Sequence, residues 1–156
     1  MEIIINAQRG KGLSKKRLER LSADILKMLK APSNTLVSIS FAAKSEIARL
    51  NAKYFNKKKA TDVIAFEYKK KSLRGKFTGF KKSYGRDFFS GYLGDVIICP
   101  EVALENSKIY KNTFSNEITL YMIHGILHLL GYDDTRKKPK LKMQKKQEEV
   151  LAKLCC

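Results

Sequence analysis

Two histidines four residues apart in an apolar run are the part of this chain best suited to chemistry. They are the only two it has, His124 and His128, in the segment His124-Gly125-Ile126-Leu127-His128-Leu129-Leu130-Gly131-Tyr132-Asp133-Asp134. In a helix, four residues is slightly more than one turn, so both imidazoles leave the same face. Gly131 is placed to end that helix, and the carboxylates of Asp133 and Asp134 follow at once. Two nitrogens on a rigid helix, with a third ligand from the turn behind it, make a three-ligand metal site with an open fourth position. The same spacing also arises when two core histidines bond backbone carbonyls. Here Ile118, Leu120, Tyr121, Met122, Ile123, Ile126, Leu127, Leu129 and Leu130 leave the helix no solvated face. Burying two imidazoles in such a setting is costly unless each has a partner.

The motif differs from the zincin helix, His-Glu-x-x-His, whose glutamate is the general base. Gly125 stands where that glutamate would be. A hydrolase built here deprotonates its water by metal polarisation or with a more distant base. Glycine also costs about 1 kcal/mol of helix propensity relative to alanine. Its use points to close approach of the backbone by another element or by a substrate.

The histidine helix needs elements to hold it, and strand and helix patterns alternate along the chain. Glu2 to Asn6 reads as a strand, and Arg9 to Leu13 as a basic turn. Ser14 caps a helix to about Lys30, with Leu18, Leu21, Ile25, Met28 and Leu29 on one stripe, and Pro32 stops it. Strands are predicted at Thr35 to Phe41, Asp62 to Tyr68 and Tyr92 to Cys99. Helices are predicted at Ser45 to Tyr54, from Pro100 to about Lys111, and from Thr113 or Ser115 through the histidines. A last helix spans Pro139 to about Leu154, with Met143, Gln147, Val150, Leu151 and Leu154 on one face. Residues 69–91 have no apolar period and combine basic residues, glycines and aromatics. The class is α/β or α+β: one small four-stranded sheet, about five helices, and the histidine helix central. The whole of 1–156 reads as a single domain with a basic loop insertion at about 69–91.

Composition narrows the function. The 156 residues carry 32 Lys+Arg against 15 Asp+Glu, a formal charge of +17. That excess is tolerated mainly where the partner is a polyanion, and nucleic acid fits best, although a lysine-rich solvated surface accounts for part of it. No run is long enough to span a membrane, and the N-terminus lacks the features of a signal peptide. Three cysteines, with Cys155 and Cys156 adjacent at the end, make no disulfide framework, so a reduced, cytoplasmic setting is expected.

The segment from His124 to Asp134 resembles the signature of the YbeY family of bacterial rRNA maturation factors, which are metal-dependent endoribonucleases. That signature is His-Gly-x-Leu-His-Leu-x-Gly-Tyr-Asp-His. Two further segments are similar to the family: Leu50-Asn51-Ala52-Lys53-Tyr54 leading to Thr61-Asp62-Val63-Ile64-Ala65-Phe66, and Leu93-Gly94-Asp95-Val96-Ile97-Ile98. The resemblance implies a mixed four-stranded sheet with about five helices and one Zn²⁺ per chain. It carries two ligands over to His124 and His128. The family's third ligand is a histidine, and Asp134 stands in its place. A carboxylate is an ordinary zinc ligand, but it removes one unit of net charge, which makes bound water less acidic and Mn²⁺ a better competitor. Asp133 matches the family's own aspartate, which orients the turn or a ligand. Phe55 stands where the family carries an arginine thought to contact RNA phosphate. Lys58 replaces a common acid and Ala60 a proline. A lysine is a point charge without the arginine fork.

The function implied is a zinc-dependent endoribonuclease specific for single strands, maturing the 3′ end of 16S rRNA in ribosome biogenesis. A metal-bound water is the catalytic group, supported by Lys57 and Asp133. RNA contacts are expected from Lys53, Lys58, Lys59, Lys70, Lys71, Arg74, Lys76, Lys81, Lys82 and Arg86, the later ones interleaved with aromatics able to stack on bases. Partners would be rRNA, the ribosomal subunit or its assembly intermediates, with no membrane. Two other readings stay open at this point: a non-catalytic ribosome-assembly factor with a structural metal, and a metallopeptidase.

Overall fold

The computed structural model describes residues 2–6, 12–68 and 91–154, with the first of these stretches described in its backbone only. The basic segment expected at 69–91 therefore lies outside the described residues except for Gly91. Lys70, Lys71, Arg74, Lys76, Lys81, Lys82 and Arg86 lie outside with it, as do Cys155 and Cys156.

Four strands form one mixed sheet: β1 (Glu2–Asn6), β2 (Leu36–Phe41), β3 (Val63–Glu67) and β4 (Tyr92–Ile98). Their order is β1-β2-β4-β3. β2 runs parallel to β1 and to β4, while β3 is an antiparallel edge strand on β4. The helices are α1 (Lys15–Met28), α2 (Lys44–Phe55), α3 (Pro100–Ile109), α4 (Phe114–Leu129) and α5 (Lys137–Leu154).

Strand alternation divides the core between the two faces of the sheet. Val37, Ile39, Phe41, Val96 and Ile98 turn one way and pack with α1, α4 and α5 through Leu18, Ile25, Met122, Ile126, Met143 and Val150. Ile64, Phe66 and Ile97 belong to a smaller cluster with Ile47 and Leu50 of α2 and Val102 of α3. No residue of α4 is exposed, in keeping with the apolar run from Ile118 to Leu129 that only Thr119, Gly125 and the two histidines interrupt.

Element ends follow local chemistry. Ser14 and Thr113 cap α1 and α4, accepting the Arg17 and Asn116 amides. α1 stops at Met28, two residues earlier than expected. α5 starts at Lys137 rather than Pro139, because proline is tolerated in a first turn where its missing N–H has no intrahelical partner.

Gly125 faces the sheet. A β-carbon there would lie 2.5 Å from Val96 Cγ1 and 3.3 Å from Val63 Cγ2. Of the two reasons for a glycine at this point, close approach of another element is the one realised: it lets α4 lie directly on β4 and β3.

Candidate metal centre

The end of α4 builds a site by folding the chain back on itself. Gly131 takes φ +92°, a left-handed conformation open to glycine at little cost. Its amide donates to the His128 carbonyl and the Tyr132 amide donates to the Leu127 carbonyl, the paired bonds of a Schellman turn. The chain then returns past the last turn of α4. Asp133 fixes that return: its Oδ1 accepts the amide and hydroxyl of Thr135 at 2.9 and 2.6 Å, and its Oδ2 accepts Arg136 Nε at 3.3 Å. The Thr135 hydroxyl and amide hold its carboxyl below the usual carboxylate range.

Asp134 is thereby brought against the two imidazoles. Its Oδ2 lies 3.6 Å from His124 Nε2 and 3.4 Å from His128 Nε2. The two Nε2 atoms are 3.1 Å apart. Both rings are oriented from behind. His128 Nδ1 lies 3.1 Å from the Tyr132 carbonyl oxygen, and His124 Nδ1 lies 2.9 Å from Gln147 Oε1 on α5. A carbonyl can only accept, so each Nδ1 carries the proton and each Nε2 presents a lone pair.

With the Nδ1 protons directed to these carbonyls, the centre offers a cation two imidazole nitrogens and one carboxylate oxygen. Tetrahedral zinc with bonds of about 2.0–2.1 Å separates its ligand atoms by about 3.3 Å, and the observed 3.1 to 3.6 Å brackets that value. The donor chemistry fits a metal, and these three residues form a group able to hold one. Among the described residues the group has three members and no fourth His, Cys, Asp or Glu. Structural zinc sites are closed by four protein ligands, so this set has the composition of an open site. The histidine side chains are 29% exposed and that of Asp134 38%, which leaves the centre accessible. A peptidase glutamate at position 125 has no room, since that position points into Val96.

The expected phosphate-binding residues fall beyond the end of α2. Asn56 closes that helix in a left-handed conformation, and Asn51 reaches forward to donate to the Lys59 carbonyl at 2.9 Å. Lys57, Lys58 and Lys59 are held on a short exposed segment between them, and Lys53 is exposed on the last turn. Phe55 is 47% exposed and Tyr54 43%, so neither is a core residue. The structure brings His124, His128 and Asp134 together. It leaves Asp133 in the turn and Lys57 in the segment after α2. Gln147 had no assigned role in the sequence. The one signal is a polar residue on the apolar stripe of α5, where a half-buried amide gains from a partner.

Three comparisons relate the chain to known proteins. A family model described as Endoribonuclease YbeY matches residues 3–155. A Clostridium botulinum protein named Endoribonuclease YbeY is 36% identical over 129 residues, covering 76% of this chain and 74% of that protein. A Staphylococcus epidermidis protein of the same name is 36% identical over 115 residues, covering 74% and 70%. The solution structure of a Thermotoga maritima protein aligns with a TM-score of 0.57 at 27% identity, covering 99% of this chain and 91% of that one.

Proposed function

The chain belongs to the YbeY endoribonuclease family, and from that premise we infer a metal-dependent endoribonuclease that cuts single-stranded RNA during 16S rRNA 3′-end maturation. The observation that carries this reading is the convergence of two imidazole lone pairs and one carboxylate oxygen at an accessible point. Two nitrogens and one oxygen with an open position suit Zn²⁺, one per chain. The carboxylate lets Mn²⁺ compete better than it would at three histidines.

A metal held by His124, His128 and Asp134 supplies Lewis acidity toward a phosphoryl oxygen and toward water. The chain's own residues supply position and charge. The Tyr132 carbonyl and Gln147 keep the Nε2 lone pairs aimed at the centre. Asp133 holds the turn that presents Asp134 and acts as a positioning residue. Lys57, with Lys53, Lys58 and Lys59, offsets phosphate charge as it builds in the transition state. Lys70, Lys71, Arg74, Lys76, Lys81, Lys82 and Arg86 add further positive charge for RNA phosphates. The setting is the cytoplasm, and the partner is the ribosomal subunit or an assembly intermediate. Among the described residues no helix is long and apolar enough to cross a membrane.

The test is cleavage of an end-labelled 16S rRNA 3′ fragment by the purified chain. Cuts should fall in unpaired segments and stop on chelation. Cleavage that persists in excess chelator, or that falls equally in duplex, would contradict the reading.

A further inference from the structure

We propose that Tyr54 and Phe55, backed by Phe66, form a stacking platform for unpaired bases of a single RNA strand whose phosphates lie on Lys53, Lys57, Lys58 and Lys59. The proposal rests on RNA being the substrate and adds to it where, and by what contact, the strand is gripped outside the metal centre.

The apolar stripe of α2, begun by Ile47 and Leu50, runs on to Tyr54 at helical spacing. Ile47 is fully buried, but by the last turn the cover has ended and both aromatic rings are nearly half exposed. They are not loose. Tyr54 meets Phe66 edge-on at 5.0 Å between centroids and 75°, and Phe55 lies 5.9 Å from Phe66 at 30°. Contacts of this kind add to area burial, so both rings are held against Phe66 while nearly half of each residue stays exposed. Pre-set rings are what base stacking needs, because every base offers a π-face to them.

Charge selects the occupant. From Lys53 to Thr61 the chain has four lysines and no acid. Lys53 Nζ lies 5.2 Å from the Tyr54 ring centroid, within cation–π range. An apolar protein partner would leave those ammonium groups unpaired at its rim. A single nucleic-acid strand supplies both a phosphate for each lysine and a base for each ring.

The platform and the metal helix lie on opposite faces of the same part of the sheet. A β-carbon on Gly94 would lie 2.1 Å from the Phe66 carbonyl oxygen and 2.9 Å from Leu129 Cδ2. The aromatic end of β3 and the residue after His128 thus meet at one point of the sheet. Because β3 is the edge strand, a chain leaving the metal centre can pass round that edge onto the rings.

The test uses the zinc-loaded full chain and a fluorescent 2′-O-methyl oligouridylate, which resists cleavage, beside an abasic strand of equal length. The parent should bind the base-bearing strand about tenfold or more tightly than the abasic one. Phe55→Leu keeps apolar cover over Phe66 but removes the ring. It should erase most of that preference with melting unchanged, while Phe55→Trp should preserve it. Lys57→Ala should weaken both strands alike. Full preference retained in Phe55→Leu would overturn the platform and leave the RNA reading standing. Binding of neither strand by the parent would overturn both. A dimer in sedimentation that Phe55→Leu dissociates would assign the patch to a second copy and overturn the platform.

Discussion

At the residue scale, function turns on which atoms face which. Two histidines at this spacing are compatible with core packing, and the sequence by itself does not separate that from metal binding. The orientation is the one a metal would need: both Nδ1 atoms face carbonyl acceptors, and both Nε2 atoms turn to Asp134. His124 and His128 were legible because they are the only histidines in the chain. Asp134 was legible because it follows a helix stop. Gln147 was not, because 23 residues separate it from His124 and only the docking of α5 joins them. Partners of ligating histidines typically contribute about 10–100-fold in metal affinity. Gln147→Ala should therefore weaken zinc binding by about that factor in a chelator competition, with the melting of metal-free protein little changed. Unaltered zinc affinity would show that the Gln147 contact orients nothing.

At the element scale, helices and strands were readable from their periods, and most boundaries fell within two residues of expectation. The order β1-β2-β4-β3 was not readable, since it depends on pairings between distant segments rather than on local pattern. The reason for Gly125 was half readable: a glycine in an apolar helix signals close approach, but only packing shows that Val96 is the neighbour. Helix propensity alone makes Gly125→Ala stabilising by about 1 kcal/mol. The new methyl would meet a β-branched side chain in the core, and overpacking of that kind costs about 1–3 kcal/mol. Thermal melting should show net destabilisation, partly relieved by Val96→Ala; a more stable Gly125→Ala would mean α4 can lift off the sheet freely. The turn into α5 makes a second, pH-dependent prediction. The Thr135 bonds, with help from Arg136, lower the folded pKa of Asp133. Its contribution is therefore full above the unfolded value of about 3.9 and is lost as pH falls through the lowered folded value. In metal-free protein, Asp133→Asn should melt with a shallower pH dependence than the parent below about pH 4. Equal slopes would mean that the turn does not depend on the carboxylate.

At the scale of the whole molecule, a formal charge of +17 is the dominant property. Charge of this size is legible without any structure, but where it acts is not. Each single-strand phosphate neutralised contributes a slope of about −0.7 to log affinity against log salt. RNA binding should weaken steeply with salt, and removing residues 70–86 should flatten the slope in proportion to the phosphates those residues neutralise. An unchanged slope would place phosphate binding elsewhere, with the lysines after α2 the first candidates. The central claim is that His124, His128 and Asp134 hold the metal that drives RNA cleavage. It is tested most directly by measuring metal content and single-turnover cleavage on the same preparations of the parent and of His128→Ala. The expected result is close to one zinc per parent chain, and loss of both zinc and cleavage together in the variant, with its fold retained. A variant that keeps its zinc, or one that loses zinc yet cleaves RNA at the parental rate, would contradict it.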